Sequence, residues 1–449
     1  STNDIQDTAK SLMSQTEVIF IPTDNTIVSA INTLVDLSKE TKVPVVGSDA
    51  GSVEKGVLFT YGTNYEALGR QTGKLAGRVL RGEKVKDIDA EYPETLNVVV
   101  NHDMAKELGI DVSRISDEES KVSTKDDKPI AKKDKGVIKL KVNKSSKNGF
   151  SNVVLTSISQ GLLWAIMAIG VFITFRILDL ADLTAEGTFP LGAATTTIMI
   201  IRGINPIFAT LGGFVAGMFA GAVSGFMHTK MKIPALLTGI ITLTGLYSVN
   251  LLVLGSANIS LSGHNTLVTM VMGLGLSKLS GVILLGLIFV SLVVFMLVVL
   301  LNTQVGLALR ATGDNLAMGE ANGIKVDRMK ILGYMISNGL IALSGALLAQ
   351  NNGYADMNMG TGTIVNGLAA IILAEVIVKY LPLGKRLWSI VVGAVLYRLV
   401  LVMILAMNVD AQMLKLASAI LLAIILYVPE VRQKLKINPN KSLTPGGDK

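Results

Sequence analysis

The stretch Lys278–Asn302 reads KLSGVILLGLIFVSLVVFMLVVLLN and carries one charged residue, Lys278, in 25 positions. A helix rises about 1.5 Å per residue, so this stretch is long enough to cross a bilayer core about 30 Å thick. Water would solvate such a stretch poorly on every side. The sequence therefore predicts a membrane-spanning helix here.

Apolar segments of the same kind recur along the chain from residue 152 onward. They predict about nine spanning segments, at 152–176, 187–202, 205–229, 234–255, 278–302, 328–350, 361–379, 386–407 and 411–428. The second segment is short, contains glycine and follows a polar stretch, 179–187. Short or broken helices are tolerated in a membrane where they face a cavity or buried protein.

The charged residues divide the chain into two parts. Residues 1–150 hold 22 of the 41 Lys+Arg and 23 of the 34 Asp+Glu, although they are only a third of the chain. Overall the chain is 17% charged and 50% hydrophobic, which argues against an ordinary soluble enzyme and against a disordered chain. In a membrane protein the net charge of +7 reports topology first, so we expect no nucleic-acid partner.

The positions of the basic residues predict an orientation. With residue 152 outside and nine crossings, 15 basic residues fall on the inner side and two, Arg202 and Lys278, on the outer side. Seven lysines between Lys132 and Lys147 argue the other way, but charges on a long translocated segment count for little. We expect a multi-pass protein of the cell membrane with residues 1–149 outside and the C-terminus in the cytoplasm.

The first 110 residues alternate short apolar runs with helical patterns, which predicts an α/β domain with a parallel sheet. Residues 111–150 are a charged linker with a brief strand at 136–142, residues 151–430 the membrane domain, and residues 431–449 a cytoplasmic tail. The short motif Gly69-Arg-Gln-Thr-Gly-Lys-Leu75 lies mid-helix and departs from a phosphate-binding loop. If the protein uses ATP, a partner hydrolyses it.

Two carboxylates follow predicted strands of the α/β domain. Asp24 and Asp49 would lie where the carboxyl ends of parallel strands form a ligand crevice and could grip an ammonium group. Alternatively, Asp24 caps a helix and Asp49 makes a turn. Cysteine is absent and only three histidines occur, so we expect neither a catalytic residue nor a metal site.

Polar residues in the membrane domain are candidates for a transport pathway. Glu186 stands at the start of the short second segment, where it either belongs to a pathway or caps the helix as an interfacial acid. Asn338 lies mid-segment, where it either lines a pathway or joins helices by a hydrogen bond. Glu375 and Arg398 fall within neighbouring segments, at depths that would let them pair. Residues 303–327 form the longest inner loop and contain a short helix after a break at 313–315, which is suited to a cytoplasmic partner.

At this loop the sequence resembles the permeases of ABC importers of the branched-chain amino-acid and ribose type, most closely their tryptophan-type branch. Further stretches that carry the resemblance are Phe175–Asp179, Thr184–Gly192, Ser337–Gly345 and Asn352–Asp356. The resemblance implies that the loop forms a coupling helix seated on a cytoplasmic ATPase dimer. The loop residues concerned are Gly306, Arg310, Thr312, Gly313, Asp314, Asn315 and Gly323.

Residues 4–110 resemble the second lobe of the matching substrate-binding proteins, through Pro22–Thr26, Gly47–Asp49 and Tyr61–Asn64. The resemblance implies ligand contacts from Asp24, Asn25 and Asp49, with Tyr61 and Asn64 nearby. The first lobe does not occur in the sequence, so the chain is either a fragment of a fusion or carries a degenerate domain. Because residue 1 falls inside a predicted helix, we expect a first lobe and an export signal upstream.

Together these features predict the permease of an ATP-driven importer fused to its binding domain, working by alternating access. Two permease copies, in contact with membrane lipid, would form a pathway lined by Thr184, Glu186 and Asn338. The chain itself would bind no cofactor, because ATP and Mg²⁺ belong to the ATPase, and its substrate would be a small amino acid-like molecule, aromatic by the resemblance. The rivals are an ATP-independent secondary transporter and a ligand sensor.

Overall fold

The computed structural model describes residues 5–24, 27–28, 30–89, 91–93, 95–112, 119–121, 149–261, 263–377, 381–406, 416, 418–421, 423 and 427. The chain divides into two compact units, one over Ile5–Lys147 and one that holds Asn148–Lys449. We call the described residues of the first the α/β unit and those of the second the helical unit.

The α/β unit is a five-stranded sheet in the order β1-β2-β3-β4-β5, with helices between the strands. Its elements are α1 (Ile5–Met13), β1 (Ile19–Ile21), α2 (Ile31–Thr41), β2 (Val45–Gly47), α3 (Ala50–Glu54), β3 (Phe59–Thr63), α4 (Tyr65–Leu80), β4 (Thr95–Val100), α5 (His102–Leu108) and β5 (Glu119–Lys121). Apolar strand and helix residues such as Ile31, Val45 and Leu58 are fully buried and form its core.

The sheet is mixed, so the expectation of a purely parallel sheet was wrong. Strands β1, β2 and β3 are parallel, but β4 pairs antiparallel to β3, with Thr63 opposite Leu96 and Phe59 opposite Val100. Leu96, near the start of β4, lies opposite Thr63 at the end of β3, so β4 begins at the end of the sheet at which β3 left it. Strand β4 therefore enters from that end and runs the opposite way.

Strand β5 lies inside the stretch expected to be a linker. It pairs antiparallel with β4, with Asn97 opposite Glu119. The sheet therefore continues beyond residue 110, while the brief strand expected at 136–142 lies outside the described residues.

The helical unit consists of long apolar helices. Its elements are α6 (Gly149–Phe172, continued by a π-helical turn, Ile173–Ile177), α7 (Ala185–Ile201), α8 (Pro206–Thr229), α9 (Ala235–Leu254), β6 (Asn258–Ser260), α10 (Leu267–Met272), α11 (Lys278–Asn302), α12 (Gln304–Asp314), α13 (Leu316–Ala321), α14 (Val326–Asn352), β7 (Tyr354–Asp356), α15 (Thr363–Ile377) and α16 (Leu383–Ala406). Strands β6 and β7 pair antiparallel.

Among the described residues, seven helices are long and apolar enough to cross a membrane. They are Val154–Ile177, Pro206–Thr229, Ala235–Leu254, Lys278–Asn302, Val326–Asn352, Met357–Val376 and Leu383–Ile404. Helix α7 stands at the second predicted segment and has 17 residues. The multi-pass α-helical architecture is confirmed, while most of the ninth predicted segment, 411–428, lies outside the described residues.

A row of glycines on α8 sets how closely the central helices approach. Gly213, Gly217, Gly221 and Gly225 recur every four residues and are buried. A Cβ at Gly217 would fall 2.5 Å from the Asn338 carbonyl oxygen, and one at Gly225 would fall 2.9 Å from Ile331 Cα. Small residues at this spacing let helix backbones pack directly in a membrane. The glycine row therefore lets α8 pack directly against α14.

The expected pair between Glu375 and Arg398 does not form. Glu375 accepts hydrogen bonds from Arg176, at the end of the π-helical turn, and from Arg386 Nη2 at 2.9 Å. Arg398 instead lies over the Trp164 ring, 5.3 Å from its centroid. The two side chains belong to different levels of the helix bundle, because α15 and α16 are antiparallel and Arg398 is twelve residues beyond Arg386.

Candidate transport site

Thr184 lies in a chain of hydroxyl groups at the start of α7. Its Oγ1 is 2.9 Å from Ser224 Oγ of α8, which donates to Thr242 Oγ1 of α9, also at 2.9 Å. All three side chains are buried. Three helices therefore meet at a polar contact inside an otherwise apolar bundle.

Asn338 joins this region to α14. Its Nδ2 donates to Asp182 Oδ2 at 2.7 Å and to the Tyr334 carbonyl at 3.0 Å. Its Oδ1 accepts from Thr188 Oγ1 at 2.9 Å. Asn338 is fully buried, so in this conformation it ties α14 to α7 and to the segment that precedes α7.

Glu186 lies on the same first turn of α7 but reaches another element. Its Oε1 accepts a hydrogen bond from the Gly362 N–H at 3.1 Å, just before α15 begins. Gly187 packs against Leu246 of α9, and its carbonyl accepts from Asn250 Nδ2 at 3.1 Å. The turn 184–188 thus contacts α8, α9, α14 and the start of α15, and it holds two of the three predicted pathway residues.

The inner loop forms two helices, α12 and α13, separated at Asn315. Asn315 ends α12 and caps α13, because its Oδ1 accepts from the Met318 N–H at 3.0 Å. Arg310 Nη2 donates to the Leu301 carbonyl at 3.1 Å, and Thr312 is buried with its hydroxyl on the Ala308 carbonyl. The Arg310 bond holds α12 against the end of α11, while the Thr312 bond lies within α12.

Gly306, Gly313 and Gly323 each have a steric or conformational role in this loop. A Cβ at Gly306 would run into the Leu301 backbone, and one at Gly313 would fall 2.7 Å from the Ile177 carbonyl carbon. Gly323 has φ +77°, which favours glycine. Asp314 is exposed, as are Leu316 and Met318, at 45% and 65%. One face of the loop is thus packed on the bundle, while apolar side chains remain exposed elsewhere on it.

In the α/β unit, most of the predicted ligand residues cap helices. Asp49 caps α3, with Oδ1 on the Ser52 N–H at 2.9 Å and Oδ2 on Ser52 Oγ at 2.7 Å. Asn64 caps α4, and Asp24 accepts from the Ile27 N–H at 3.1 Å. Tyr61 is 52% exposed, and Asn25 lies outside the described residues.

These residues nonetheless share one edge of the sheet. Asp24, Asp49 and Asn64 follow β1, β2 and β3, which are parallel. A hydrogen bond of 2.7 Å between the Thr23 and Ser48 hydroxyls ties two of the three loops together. The three residues therefore lie along a single edge of the sheet, at the carboxyl ends of its parallel strands, as the sequence predicted.

Residues 153–429 match the family described as branched-chain amino acid transport system / permease component, over more than half of the chain. The chain belongs to this permease family. Residues 1–123 match the family described as ABC transporter substrate binding protein. The chain is thus the permease of an ABC importer joined to a substrate-binding domain.

Relatives of both parts are known. The tyrosine transport system permease protein of Clostridioides difficile (strain R20291) is 37% identical over 292 residues, covering 65% of this chain and 96% of that protein. The tyrosine-binding protein of the same organism is 33% identical over 121 residues, 27% of this chain and 34% of that protein. A solved ABC domain from Streptococcus pneumonia in complex with L-Trp is 35% identical, with a TM-score of 0.24 over 25% of this chain and 40% of that one.

Sequence reasoning missed several polar residues of the permease, among them Ser224, Thr242 and the buried acid Asp182. Asp182 lies in the polar stretch before the short second segment, the same stretch that contains the predicted pathway residue Glu186. Its burial depends on Asn338, which is 156 residues away. The signal that could have identified it is the position of this acid, one turn before the short helix α7.

Proposed function

We propose that this permease imports an aromatic amino acid, driven by ATP hydrolysis in a separate cytoplasmic ATPase dimer that binds α12 and α13. The observation that carries the proposal is the packing of α12 on α6, where Gly313 lies against the Ile177 carbonyl at the end of the π-helical turn. A force on α12 would be delivered to the backbone of a central helix. The exposed Leu316 and Met318 on α13 offer an apolar contact to the ATPase.

The charged residues around α12 support the orientation. Arg176, Arg386 and Glu375 meet where α6, α15 and α16 come together, and Lys230 pairs with Asp327 at 3.0 Å between the ends of α8 and α14. Arg176 immediately precedes Ile177, which contacts α12. Basic residues cluster on the cytoplasmic side of membrane proteins, so this end faces the cytoplasm and the N-terminal domain lies outside.

The ATP-binding machinery belongs to the partner in this proposal. The stretch Gly69–Leu75 lies inside α4, where it cannot form a phosphate-binding loop. The permease binds no cofactor itself, and ATP and Mg²⁺ act in the ATPase. A second permease copy and membrane lipid cover the large apolar faces of α8, α9 and α11.

The substrate class is supported by the relatives and by the edge of the sheet. A tyrosine permease and a tyrosine-binding protein match the two parts of the chain. At the edge, Asp24 and Asp49 supply negative charge for an ammonium group, and Tyr61 offers an exposed ring for stacking. Glu186 lines the pathway within the permease and is the group that would meet the ammonium, while the buried Thr184 and Asn338 hold the turn that carries it.

The test is ATPase binding and uptake by the full chain. We expect Met318→Glu to weaken copurification of the ATPase and ATP-dependent tyrosine uptake in parallel, because its exposed side chain leaves the fold intact. Glu320→Gln, on the same short helix and also exposed, is the matched control. Unchanged copurification and uptake with Met318→Glu would contradict the proposed role of α13.

The pathway assignment has a test of its own. Glu186→Gln keeps an oxygen for the Gly362 N–H but removes the charge, so we expect lower uptake with normal membrane insertion. Wild-type uptake by Glu186→Gln would remove Glu186 from the pathway.

A further inference from the structure

Asp182 is a buried acid whose hydrogen-bonding partners are neutral. It is 4% exposed and accepts from the Thr184 N–H at 2.9 Å and from Asn338 Nδ2 at 2.7 Å. Among the described residues, none of the ion pairs includes Asp182. Burying an ionised carboxyl group without a charged partner costs free energy, and acids inside a membrane domain are rare and mark function.

Asp182 lies on a short segment that follows the π-helical turn of α6 and whose first end contacts α12. We call residues 178–184 the connector. At its first end, Leu178 packs against Gly333 of α14, next to Leu309 of α12. The chain then reverses at Asp179, which has φ +53°, and the Leu180 N–H bonds back to the Thr174 carbonyl at 2.9 Å. The first part of the connector is thus a hydrogen-bonded turn.

At its other end, the connector is fastened twice. Asp182 holds it to Asn338 of α14, five residues beyond Gly333, and Thr184 holds it to Ser224 of α8. Because Asn338 also bonds Thr188, the connector and the first turn of α7 share one anchor on α14. A displacement that starts at Ile177 reaches Glu186 through this connector.

We propose that Asp182 is a positioning residue that couples movement of α12 to the first turn of α7. It does so by fixing the connector to Asn338, so that α14 and the 184–188 turn move as one body when α12 pushes on Ile177. Without this bond the connector moves independently of α14, and the movement of α12 no longer reaches the 184–188 turn. The inference rests on the proposed function, since it takes the ATPase to act through α12.

The experiment measures coupling in proteoliposomes that contain the full chain with its copurified ATPase. Tritiated tyrosine uptake and ATP hydrolysis are measured in the same vesicles. For Asp182→Ala we expect uptake per ATP to fall by about tenfold, within the range of ordinary coupling energies, while hydrolysis stays near the wild-type rate. Asp179→Asn is the control, because it is exposed on the same connector and asparagine tolerates a positive φ.

A swapped pair separates positioning from general stability. In Asp182→Asn, an amide N–H₂ can face the Asn338 N–H₂, so the single variant should lose coupling. Adding Asn338→Asp places an acceptor opposite that donor and keeps an oxygen for Thr188, while the Tyr334 carbonyl loses its donor, so recovery is expected to be partial. We expect the double variant to recover at least half of the lost uptake per ATP.

Three results would overturn the inference. The first is a wild-type ratio of uptake to hydrolysis in Asp182→Ala. The second is a parallel loss of both activities in an assembled Asp182→Ala complex. The third, decisive if Asp182→Ala fails to assemble, is an equal ratio in Asp182→Asn and the swapped pair. A wild-type chain without ATP-dependent uptake would instead defeat the proposed function, whatever Asp182 does.

Discussion

Replacing Gly313 by alanine adds one methyl group at the contact between α12 and α6. The new Cβ would fall 2.7 Å from the Ile177 carbonyl carbon and 3.0 Å from Leu178 Cα. Both neighbours are backbone atoms, which cannot rotate away as the end of a side chain can. Helix α12 must therefore shift off its seat.

The size of the effect follows from the packing. Adding a methyl group to a tightly packed site costs about 1–3 kcal/mol. Alanine favours a helix interior over glycine by about 1 kcal/mol, which offsets part of this cost. The middle of the remaining range is about 1 kcal/mol, and if this opposes the packed position of α12, coupling between the ATPase and the permease weakens about 5-fold.

Gly319→Ala is the matched control on the neighbouring helix α13. A Cβ there would meet its nearest atom, Val326 Cγ2, at 3.6 Å, which is an ordinary contact distance. The assay is titration of the ATPase onto the full chain in nanodiscs, followed by tyrosine uptake in proteoliposomes. We expect Gly319→Ala to match the wild type and Gly313→Ala to fall below it. Equal behaviour of the two variants would refute the idea that α12 acts through Ile177.

Three further predictions concern stability. Gly217→Ala should destabilise the permease by about 1–3 kcal/mol through overpacking and so lower its melting temperature. Gly245→Ala, which meets no atom within 4 Å, should leave the melting temperature unchanged. Equal melting temperatures of the two variants would contradict the close packing of the glycine row of α8 on α14. Glu375→Gln should lower the free energy of unfolding of the helical unit by up to about 1 kcal/mol, and this effect should shrink at high salt, because the ion pairs of Glu375 are partly exposed. A destabilisation independent of salt would contradict this. Asp49→Ala should remove the cap of α3 at a cost of about 1 kcal/mol, seen as faster hydrogen exchange at Ser52, and unchanged exchange would contradict it.

Much of the helical unit could be predicted because its signal is local. Lys278–Asn302 forms one continuous helix, as its apolar run indicates, and the short α7 begins two residues before the predicted start. Hydropathy alone decides such segments, since a membrane admits few other structures. The polar loop that carries α12 and α13 was predicted for the same reason, from its polarity between two spans.

The contacts between distant parts of the chain could not be predicted. Glu375 pairs with Arg176, which is 199 residues away, and Asp182 bonds Asn338 across 156 residues. Such pairs depend on which helices pack together and at what level, and no local pattern carries that information. The direction of β4 was missed for a related reason, because the return path through residues 81–94 leaves no periodic signal.

The candidate site was predicted in part. Thr184 and Asn338 belong to one buried polar cluster, and the sequence placed both on interrupted or polar-bearing segments. Asp49 and Asn64 lie at the expected edge of the sheet, yet both also cap helices. The functional and structural roles of such residues use the same oxygen atoms, so sequence patterns do not separate them.

The most direct test of the central claim is tyrosine uptake by proteoliposomes that contain the full chain and its copurified ATPase. Mg-ATP is supplied only on the side that exposes α12 and α13, with no ion gradient present. We predict accumulation that requires hydrolysable ATP and stops when the ATPase is removed. Accumulation driven by an ion gradient in the absence of the ATPase would contradict the account and favour a secondary transporter.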